Sequence, residues 1–387
     1  MAPIEIARIQ PDAWKLLARA FEAGRLSGTY LFHGRQGAGG WALAVHVAAL
    51  LNCEKPRKDA AYGVLPCGTC RECRNILGIN HEALHIAVPL PPHKNSDQAA
   101  TMTVEQLDEK RREPFSIPSG SKNRLIPIEH ARDIKRRLAS KGTRGVVRVV
   151  LFYQMENMKH ASADALLKMI EEPPADTIVI MTTYRPEFLL PTVLSRSRMV
   201  RLGPVRADVI RDYLITHYDF PAERAALLGR LSDGSLGRAL QMAGSDDDEV
   251  SPRQTAMNLY ECLFSNSGVD VVAGLEEQLN PRDRGEALAV LQHWQSILRD
   301  CVDYASFADP NRLTNIDFVG RLTPLARYLH GSQPAERMAG EIKMTLADMR
   351  RNVHIPGAMA ALALRLRRCI RLAQGSESGV ETMENRR

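Results

Sequence analysis

The strongest constraint on the fold is a strand, a helix and a second strand packed into residues 146–198. Residues 146–152 read Val-Val-Arg-Val-Val-Leu-Phe, an apolar, β-branched run typical of a buried strand. Residues 158–172 place apolar side chains on one helical face before Pro173-Pro174 ends the helix. A second apolar run follows at 177–183. This order predicts a βαβ unit, and therefore a parallel sheet whose ligands bind at the carboxyl ends of its strands.

Four ordered motifs in and after this unit resemble those of AAA+ DNA polymerase clamp-loader subunits. They are Ala-Leu-Leu-Lys at 165–168, Ile-Glu-Glu-Pro-Pro at 170–174, Leu-Leu-Pro-Thr at 189–192 and Ser-Arg-Ser at 195–197. The resemblance covers residues 5–245 and is specific because the motifs occur together and in order. It implies an α/β fold with a parallel sheet of the P-loop type.

The same resemblance divides the chain into domains. An AAA+ nucleotide-binding-like domain is expected over 1–204, with a zinc module inserted at about 52–80 and a long insertion at about 90–123. A helical lid is expected over 205–245, and an all-α collar for oligomerisation over 250–374. The polar residues 375–387 are expected to form a flexible tail.

A glycine-rich segment at 34–41 lies between a predicted strand (29–33) and a predicted helix (42–51). An NTP-binding loop there needs G-x-x-x-x-G-K-[ST], because amides cradle the phosphates, lysine neutralises them and the hydroxyl holds Mg²⁺. Gly34, Gly37 and Gly39 are present, but Gly40 and Trp41 replace the lysine and the hydroxyl residue. Glycine content alone would fit a plain turn, whereas the position matches the family's nucleotide loop in a degenerate form.

The second half of a nucleotide site is altered as well. Active relatives carry Asp-Glu after the strand that ends near Phe152, where one carboxylate organises Mg²⁺ and the other polarises water. This chain has Tyr153 and Gln154 there, and neither is ionised at neutral pH. We therefore expect poor or no binding of ATP and no intrinsic ATPase activity.

Four of the seven cysteines are clustered. Cys53, Cys67, Cys70 and Cys73 give C-x13-C-x2-C-x2-C, a spacing that predicts a closed structural Zn²⁺ site with four thiolate ligands. The alternative is four unligated thiols. Proline, glycine and charge around the cluster leave little apolar core, so the metal would supply much of the local stability.

Arg196, in the Ser-Arg-Ser motif, is the candidate catalytic residue. The resemblance implies an arginine finger in trans, a guanidinium that reaches the γ-phosphate of ATP bound to the neighbouring subunit. Ser197 replaces the cysteine usual in the family and leaves the arginine in place. The alternative is an ordinary surface arginine near the end of a strand.

The segment His81-Glu82-Ala83-Leu84-His85 matches H-E-x-x-H, which on a helix is a zinc-protease signature. Gly78 precedes the segment closely and an apolar run follows at 86–88, so we predict a turn that enters a strand and no protease site.

The proline-rich, charged insertion at 90–123 is predicted to be a loop, and residues 124–128 to be a strand. A helix over 129–138 carries a basic stripe (Arg132, Lys135, Arg136 and Arg137). Such a stripe can follow a nucleic-acid backbone, and it equally fits a solvated helix face.

Composition sets wide limits on partners. The chain has 51 Lys and Arg against 45 Asp and Glu, a net charge of +6, which permits nucleic-acid contact without requiring it. No apolar run approaches the roughly 20 residues of a membrane span, and the first five residues do not resemble a leader peptide. We expect a cytoplasmic protein without a membrane partner.

Two functions remain compatible with the sequence. The first is a non-catalytic subunit of the DNA polymerase III clamp loader that activates a neighbouring ATPase during loading of the sliding clamp on primed DNA. Its partners would be the gamma/tau and delta-type subunits, the clamp through the complex, and primer-template DNA. The second is an active AAA+ ATPase, either the motor of that machine or a DNA-repair ATPase. Gly40, Trp41, Tyr153 and Gln154 favour the first.

Overall fold

The computed structural model divides into two units after Gly244, and each is described separately. The residues that it describes are 3–118, 124–140, 143, 145–159, 166–244, 252–265, 267–279, 284–329, 332–349 and 353–384.

The first unit is an α/β structure. Its elements are α1 (Pro3–Ile9), α2 (Pro11–Glu22), β1 (Gly28–His33), α3 (Gly40–Leu51), β2 (Arg57–Asp59), β3 (Gly63–Leu65), α4 (Arg71–Leu77), β4 (Leu84–Ala87), α5 (Ser96–Arg112), α6 (Ile128–Leu138), β5 (Arg148–Phe152), α7 (Leu167–Glu171), β6 (Thr177–Thr183), α8 (Pro191–Ser195), β7 (Arg198–Arg201), α9 (Ala207–Tyr218), α10 (Ala222–Leu231) and α11 (Leu236–Ala243).

Five strands form the main sheet in the order β4-β5-β6-β1-β7, and every pairing is parallel. β5 and β6 are adjacent, so the predicted βαβ unit and its parallel sheet are confirmed. β1 lies between β6 and β7, with Gly28 opposite Ile178 and Tyr30 opposite Arg198. β2 and β3 form a separate antiparallel hairpin.

The sheet is covered on both faces, which explains its uniformly apolar strands. Successive residues of β5 point to opposite faces: Val149 and Leu151 join a core with α1–α3, while Val150 and Phe152 join a core with α6 and α7. Every residue of β5 and β6 is buried.

Three helices, α9, α10 and α11, lie at the positions that the sequence predicts; they are hereafter called the lid, and they belong to the same compact unit as the sheet. Ser235 caps α11 by accepting a hydrogen bond from the amide of Arg238 (3.1 Å).

The second unit is helical in its described residues, as predicted. Its longer elements are α12 (Pro252–Cys262), α13 (Gly268–Gln278), α14 (Arg284–Phe307), α15 (Val319–Ala326), α16 (Ser332–Asp348) and α17 (Ile355–Glu384). Trp294 of α14 is fully buried and donates from Nε1 to the carbonyl of Ala256 (2.8 Å). α17 continues to Glu384 and so enters the stretch expected as a tail; that stretch contains no proline to stop a helix.

Two expectations about the insertion region are wrong. Residues 90–123 are not a loop throughout, because α5 occupies 17 of them. Asn95 begins this helix: its side chain accepts from the amide of Gln98 (2.9 Å), and Gln98 Oε1 accepts from the amide of Lys94 (2.9 Å). The arrangement resembles a capping box, except that Gln98 reaches the amide before the N-cap, and it stabilises the helix start. Residues 124–128 form only a single bridge, Leu90 to Leu125, before α6 begins.

The helix predicted over 158–172 is described only in part, as α7, and residues 160–165 lie outside the described part of the chain. Met158 itself is extended. None of the helices that the structure describes has the length and apolar character needed to span a bilayer.

Candidate functional site

The glycine-rich loop lies at the carboxyl end of β1, between that strand and α3, as the sequence predicts. Gly39 precedes the helix with φ of 107°, a conformation that side-chain-bearing residues rarely adopt. A Cβ atom at Gly39 would also lie 2.9 Å from Cε1 of Phe115, which belongs to the insertion. Glycine is therefore required here by backbone conformation and by close packing.

Trp41 and Tyr153 fill the region beside this loop. Trp41 is 2% exposed, and its ring meets the ring of Tyr153 edge to face, with 5.3 Å between centroids. Burial raises the pKa of Tyr153 well above its ordinary value, so the phenol stays neutral. Two aromatic rings thus replace a hydroxyl and a carboxylate in the sequence pattern of an active nucleotide site.

Gln154 has left-handed backbone geometry, with φ of 56°. The backbone amide of Gln154 donates to Oγ1 of Thr182 on the neighbouring strand (2.9 Å), and its side-chain Oε1 accepts from the side chain of Asn157 (3.1 Å). Both groups are therefore engaged in local hydrogen bonds. Glu156, two residues further on, accepts from the amide of Tyr184 (3.4 Å) and does not line the cleft.

Sequence reasoning missed Lys110, from the last turn of α5. Its side chain is 2% exposed and its ammonium lies 4.6 Å from the ring centroid of Tyr153 and 6.0 Å from that of Trp41. It donates to the carbonyl of Ser116. Burial lowers the pKa of Lys110 to about 7, against the opposing effect of Glu109 and Glu113.

These groups surround a cleft at the carboxyl ends of β1, β5 and β6, the place expected for a ligand in a parallel sheet. The lining residues are Phe32, Gly34, Arg35, Gln36, Gly37, Gly39, Gly40, Trp41, Lys110, Pro114, Phe115, Tyr153, Gln154, Thr182, Thr183, Tyr184 and Leu202. The structure thus brings together both altered motifs and adds the end of the insertion to them.

The four clustered cysteines converge as predicted. The sulfur atoms of Cys53, Cys67, Cys70 and Cys73 all lie within 4.8 Å of one another. The Cys67 and Cys73 sulfurs are 3.9 Å apart, near the edge of about 3.8 Å that a tetrahedron with Zn–S bonds of about 2.3 Å would have. The donor set and its spacing therefore fit a tetrahedral metal ion.

Backbone amides point at these sulfurs. The amide of Cys67 donates to Cys53 Sγ (3.2 Å), and the amides of Thr69 and Cys70 donate to Cys67 Sγ (3.5 and 3.2 Å). Burial tends to raise the pKa of Cys67, but the amides of Cys70 and Thr69 outweigh it and lower the pKa to about 6. Such a thiolate is suited to a metal.

Arg196 lies directly after α8 and is about one-third exposed. Its Nε donates to Oε2 of Glu171 (2.9 Å) and its Nη1 to the carbonyl of Thr192 (3.2 Å). These two contacts join the Glu-Glu-Pro-Pro and Leu-Leu-Pro-Thr motifs to the arginine. The described residues that line the cleft do not include Arg196.

The sheet topology separates Arg196 from the cleft. β7 starts at Arg198, two residues after Arg196, and runs parallel to β1. Arg198 also donates to the carbonyls of Arg25 and Ser27, just before β1. Arg196 is therefore near the amino end of the sheet, whereas the cleft follows the carboxyl end of β1, about 20 Å away for six residues of strand.

Two other sequence motifs have simple structural explanations. His81 lies in a turn before β4 and His85 within that strand, so the H-E-x-x-H segment is not helical, as predicted. On α6, Asp133 pairs with both Arg136 and Arg137 (2.7 Å each), which partly neutralises the basic stripe.

Comparison with known proteins agrees with this architecture. Residues 9–206 match the family model described as DNA polymerase III, delta subunit. The delta-prime subunit of Bacillus subtilis is 28% identical over 264 residues, 68% of each chain. That of Escherichia coli is 27% identical over 84% of each chain. The tau subunit of Salmonella typhimurium is 27% identical over 71% of this chain and 40% of its own length. The chain therefore belongs to the delta-prime clamp-loader family of DNA polymerase III.

Proposed function

We propose that this chain is a non-catalytic clamp-loader subunit that supplies Arg196 in trans to the ATP site of a neighbouring subunit. It binds no ATP of its own and works only inside the assembly. Its partners are gamma/tau and delta-type subunits, the sliding clamp through the complex, and primer-template DNA. The assembly places the clamp on primed DNA during replication.

The location of Arg196 supports action on another subunit. A guanidinium near the amino end of the sheet cannot reach a phosphate bound at the carboxyl end of the same sheet. It can, however, be presented outward, because its side chain is about one-third exposed. Glu171 and Thr192 hold it in one orientation, which limits the entropy lost when it meets a phosphate.

The residues of the cleft support the proposal that this chain binds no nucleotide. Phosphoryl transfer depends on positioned cations and carboxylates more than on the scaffold. Here Gly40 and Trp41 supply neither the lysine nor the metal-binding hydroxyl, and Tyr153 and Gln154 supply no carboxylate. Lys110 brings an amine to this place, but it already donates to a carbonyl and packs against two aromatic rings.

We further propose that the four cysteines hold one structural Zn²⁺. The ion would cross-link the end of α3 to α4 and to the segment that follows β3. Cys73 is completely buried, and its sulfur lies 3.8 Å from the carbonyl oxygen of Ala49 on α3, so the module is anchored to the first unit.

The role of Arg196 is tested in the reconstituted assembly by rapid-quench measurement of ATP hydrolysis. Arg196→Ala should slow hydrolysis at the one contacted site by roughly 10³-fold or more, so that the fast phase loses one ATP per assembly. Arg206→Ala, which removes another exposed, ion-paired arginine, is the matched control and should leave that phase intact. An unchanged fast phase in Arg196→Ala would remove the proposed role.

The competing function is an active AAA+ ATPase, with which the similarity to tau subunits is also consistent. It requires a cation and a carboxylate free to engage phosphate and magnesium in the cleft. The contacts of Lys110 and the residues at 153 and 154 argue against it.

A further inference from the structure

The end of the insertion lies between the glycine-rich loop and the lid. Residues 110–117, hereafter the plug, comprise the last residues of α5 and the segment that follows it. Lys110, Pro114 and Phe115 of the plug line the cleft described above. Lys110 and Phe115 are among the largest side chains with less than about 2% exposure in the molecule, which shows how deeply the plug is inserted.

The plug contacts the sheet side of the cleft through charge and aromatic surface. The Lys110 ammonium lies against the face of Tyr153, and its hydrogen bond to the carbonyl of Ser116 closes the plug on itself. The Phe115 ring approaches Gly39 so closely that a Cβ there would lie 2.9 Å from it.

The same segment contacts two helices of the lid. Phe115 packs edge to face on Tyr213 of α9 (5.5 Å between centroids), and Glu113 accepts a hydrogen bond from Tyr218. The side chain of Gln241 on α11 donates to the carbonyl of Ile117 (3.2 Å). Phe115 is thus contacted by the loop and by the lid.

Gly237 shows that the fit between plug and lid is tight. A Cβ at this position would lie 2.2 Å from the carbonyl oxygen of Phe115 and 2.8 Å from Cγ1 of Ile117. The Gly237 amide also donates to the carbonyl of Gly37 in the glycine-rich loop (3.1 Å). The absence of a side chain at Gly237 therefore lets loop, plug and lid meet at one point.

We propose that the plug is an internal ligand of this cleft, which holds the lid closed on the glycine-rich loop without any nucleotide. Its phenyl ring and the groups beside it supply, from within the chain, the contacts with loop and lid that a bound small molecule would otherwise have to supply. The lid would then keep a single orientation irrespective of ATP concentration. This role goes beyond the action of Arg196 and does not depend on it.

Hydrogen–deuterium exchange of the full chain tests this role. Phe115→Ala should speed exchange of amides in α9, in α11 and in loop 34–39 by about tenfold or more, because the ring that packs between Gly39 of the loop and Tyr213 of α9 is lost. Val104→Ala, at a 59% exposed position of α5, is the matched control and should leave these segments unchanged. Exchange in β5 and β6 of the same samples reports whether the fold is intact.

A second variant changes the lid side of the contact between plug and lid. Gly237→Ala should give the same pattern of faster exchange through overlap with the plug, whereas Gly244→Ala, whose Cβ would meet its nearest atom at 3.7 Å, should not. The proposal would be overturned if either test variant showed unchanged exchange in α11 and loop 34–39 while β5 and β6 remained protected. Equal acceleration in the controls would also overturn it.

Discussion

Single residues in this protein derive their properties from partners that are distant in sequence. Lys110 meets Tyr153, 43 positions later, and Trp41, 69 positions earlier. A lysine surrounded by rings and withdrawn from water loses part of its preference for the protonated form. The consequence is a buried group that titrates near neutral pH, whereas most lysines do so near 10.5.

This shift predicts a dependence of stability on pH. Burial lowers the pKa of Lys110 to about 7 in the folded state, while the unfolded chain keeps the ordinary 10.5. Between these values the unfolded state binds more protons, so stability rises with pH there, by up to about 1.4 kcal/mol per unit. Below about pH 6 both states are protonated and the cost of the buried cation is constant.

Chemical denaturation from about pH 6 to about pH 10 measures the effect. The free energy of unfolding of wild type relative to Lys110→Met should increase with pH above about 7 and stay flat below about 6. Glu109 and Glu113 favour the charged amine and Arg124 disfavours it, so all three stay unchanged in the comparison. Lys135→Met, at an exposed lysine of α6, should show no such trend. A flat difference across the range would contradict the buried titration.

Two elements differ in how far the sequence could predict them. The βαβ unit was predictable because its strands are apolar on both faces and the helix between them is ended by prolines. α5 was not predicted, since the prolines and charges of the insertion favoured a loop over a helix. The Asn-x-x-Gln pattern at 95–98, which resembles a capping box, was present in the sequence and could have revealed its start.

The candidate site also contains residues that the sequence could predict and residues that it could not. Gly40, Trp41, Tyr153 and Gln154 were assigned to one site because the resemblance places them in the two halves of the family's nucleotide site. The four cysteines were predicted from spacing alone. The insertion of Lys110 and Phe115 into the cleft left no sequence pattern, since it depends on how α5 packs over α3 and β5. The position of Lys110 and Phe115 is therefore set by tertiary packing between segments that are distant in sequence.

Among the elements, the cysteine module brings together the end of α3, the segment after β3 and α4. We expect about one Zn per chain by elemental analysis of purified protein. Cys67→Ser should reduce bound zinc to near zero and speed amide exchange over residues 53–77, because the ion supplies the cross-link. Cys262→Ser changes a thiol outside the cluster and should keep the full zinc content. Wild-type protein without zinc would refute the four-thiolate site.

The first unit combines a cleft lined in part by the insertion with an arginine held near the other end of the same sheet. The two ends of the sheet therefore differ: side chains of the insertion enter the cleft at one end, and a cation about one-third exposed lies at the other. Under the proposed function, such a unit would gain a chemical role only beside a subunit that binds ATP. We propose that the helical second unit supplies the collar of that assembly.

The proposed function requires that this chain has no nucleotide site of its own. Calorimetric titration of the isolated full chain with Mg·ATP is the decisive experiment, with an ATP-hydrolysing subunit of the same assembly titrated in parallel as the positive control. We predict no saturable binding up to about 1 mM and no Mg²⁺-dependent turnover. A dissociation constant of about 1 μM together with ATP hydrolysis would contradict the proposal.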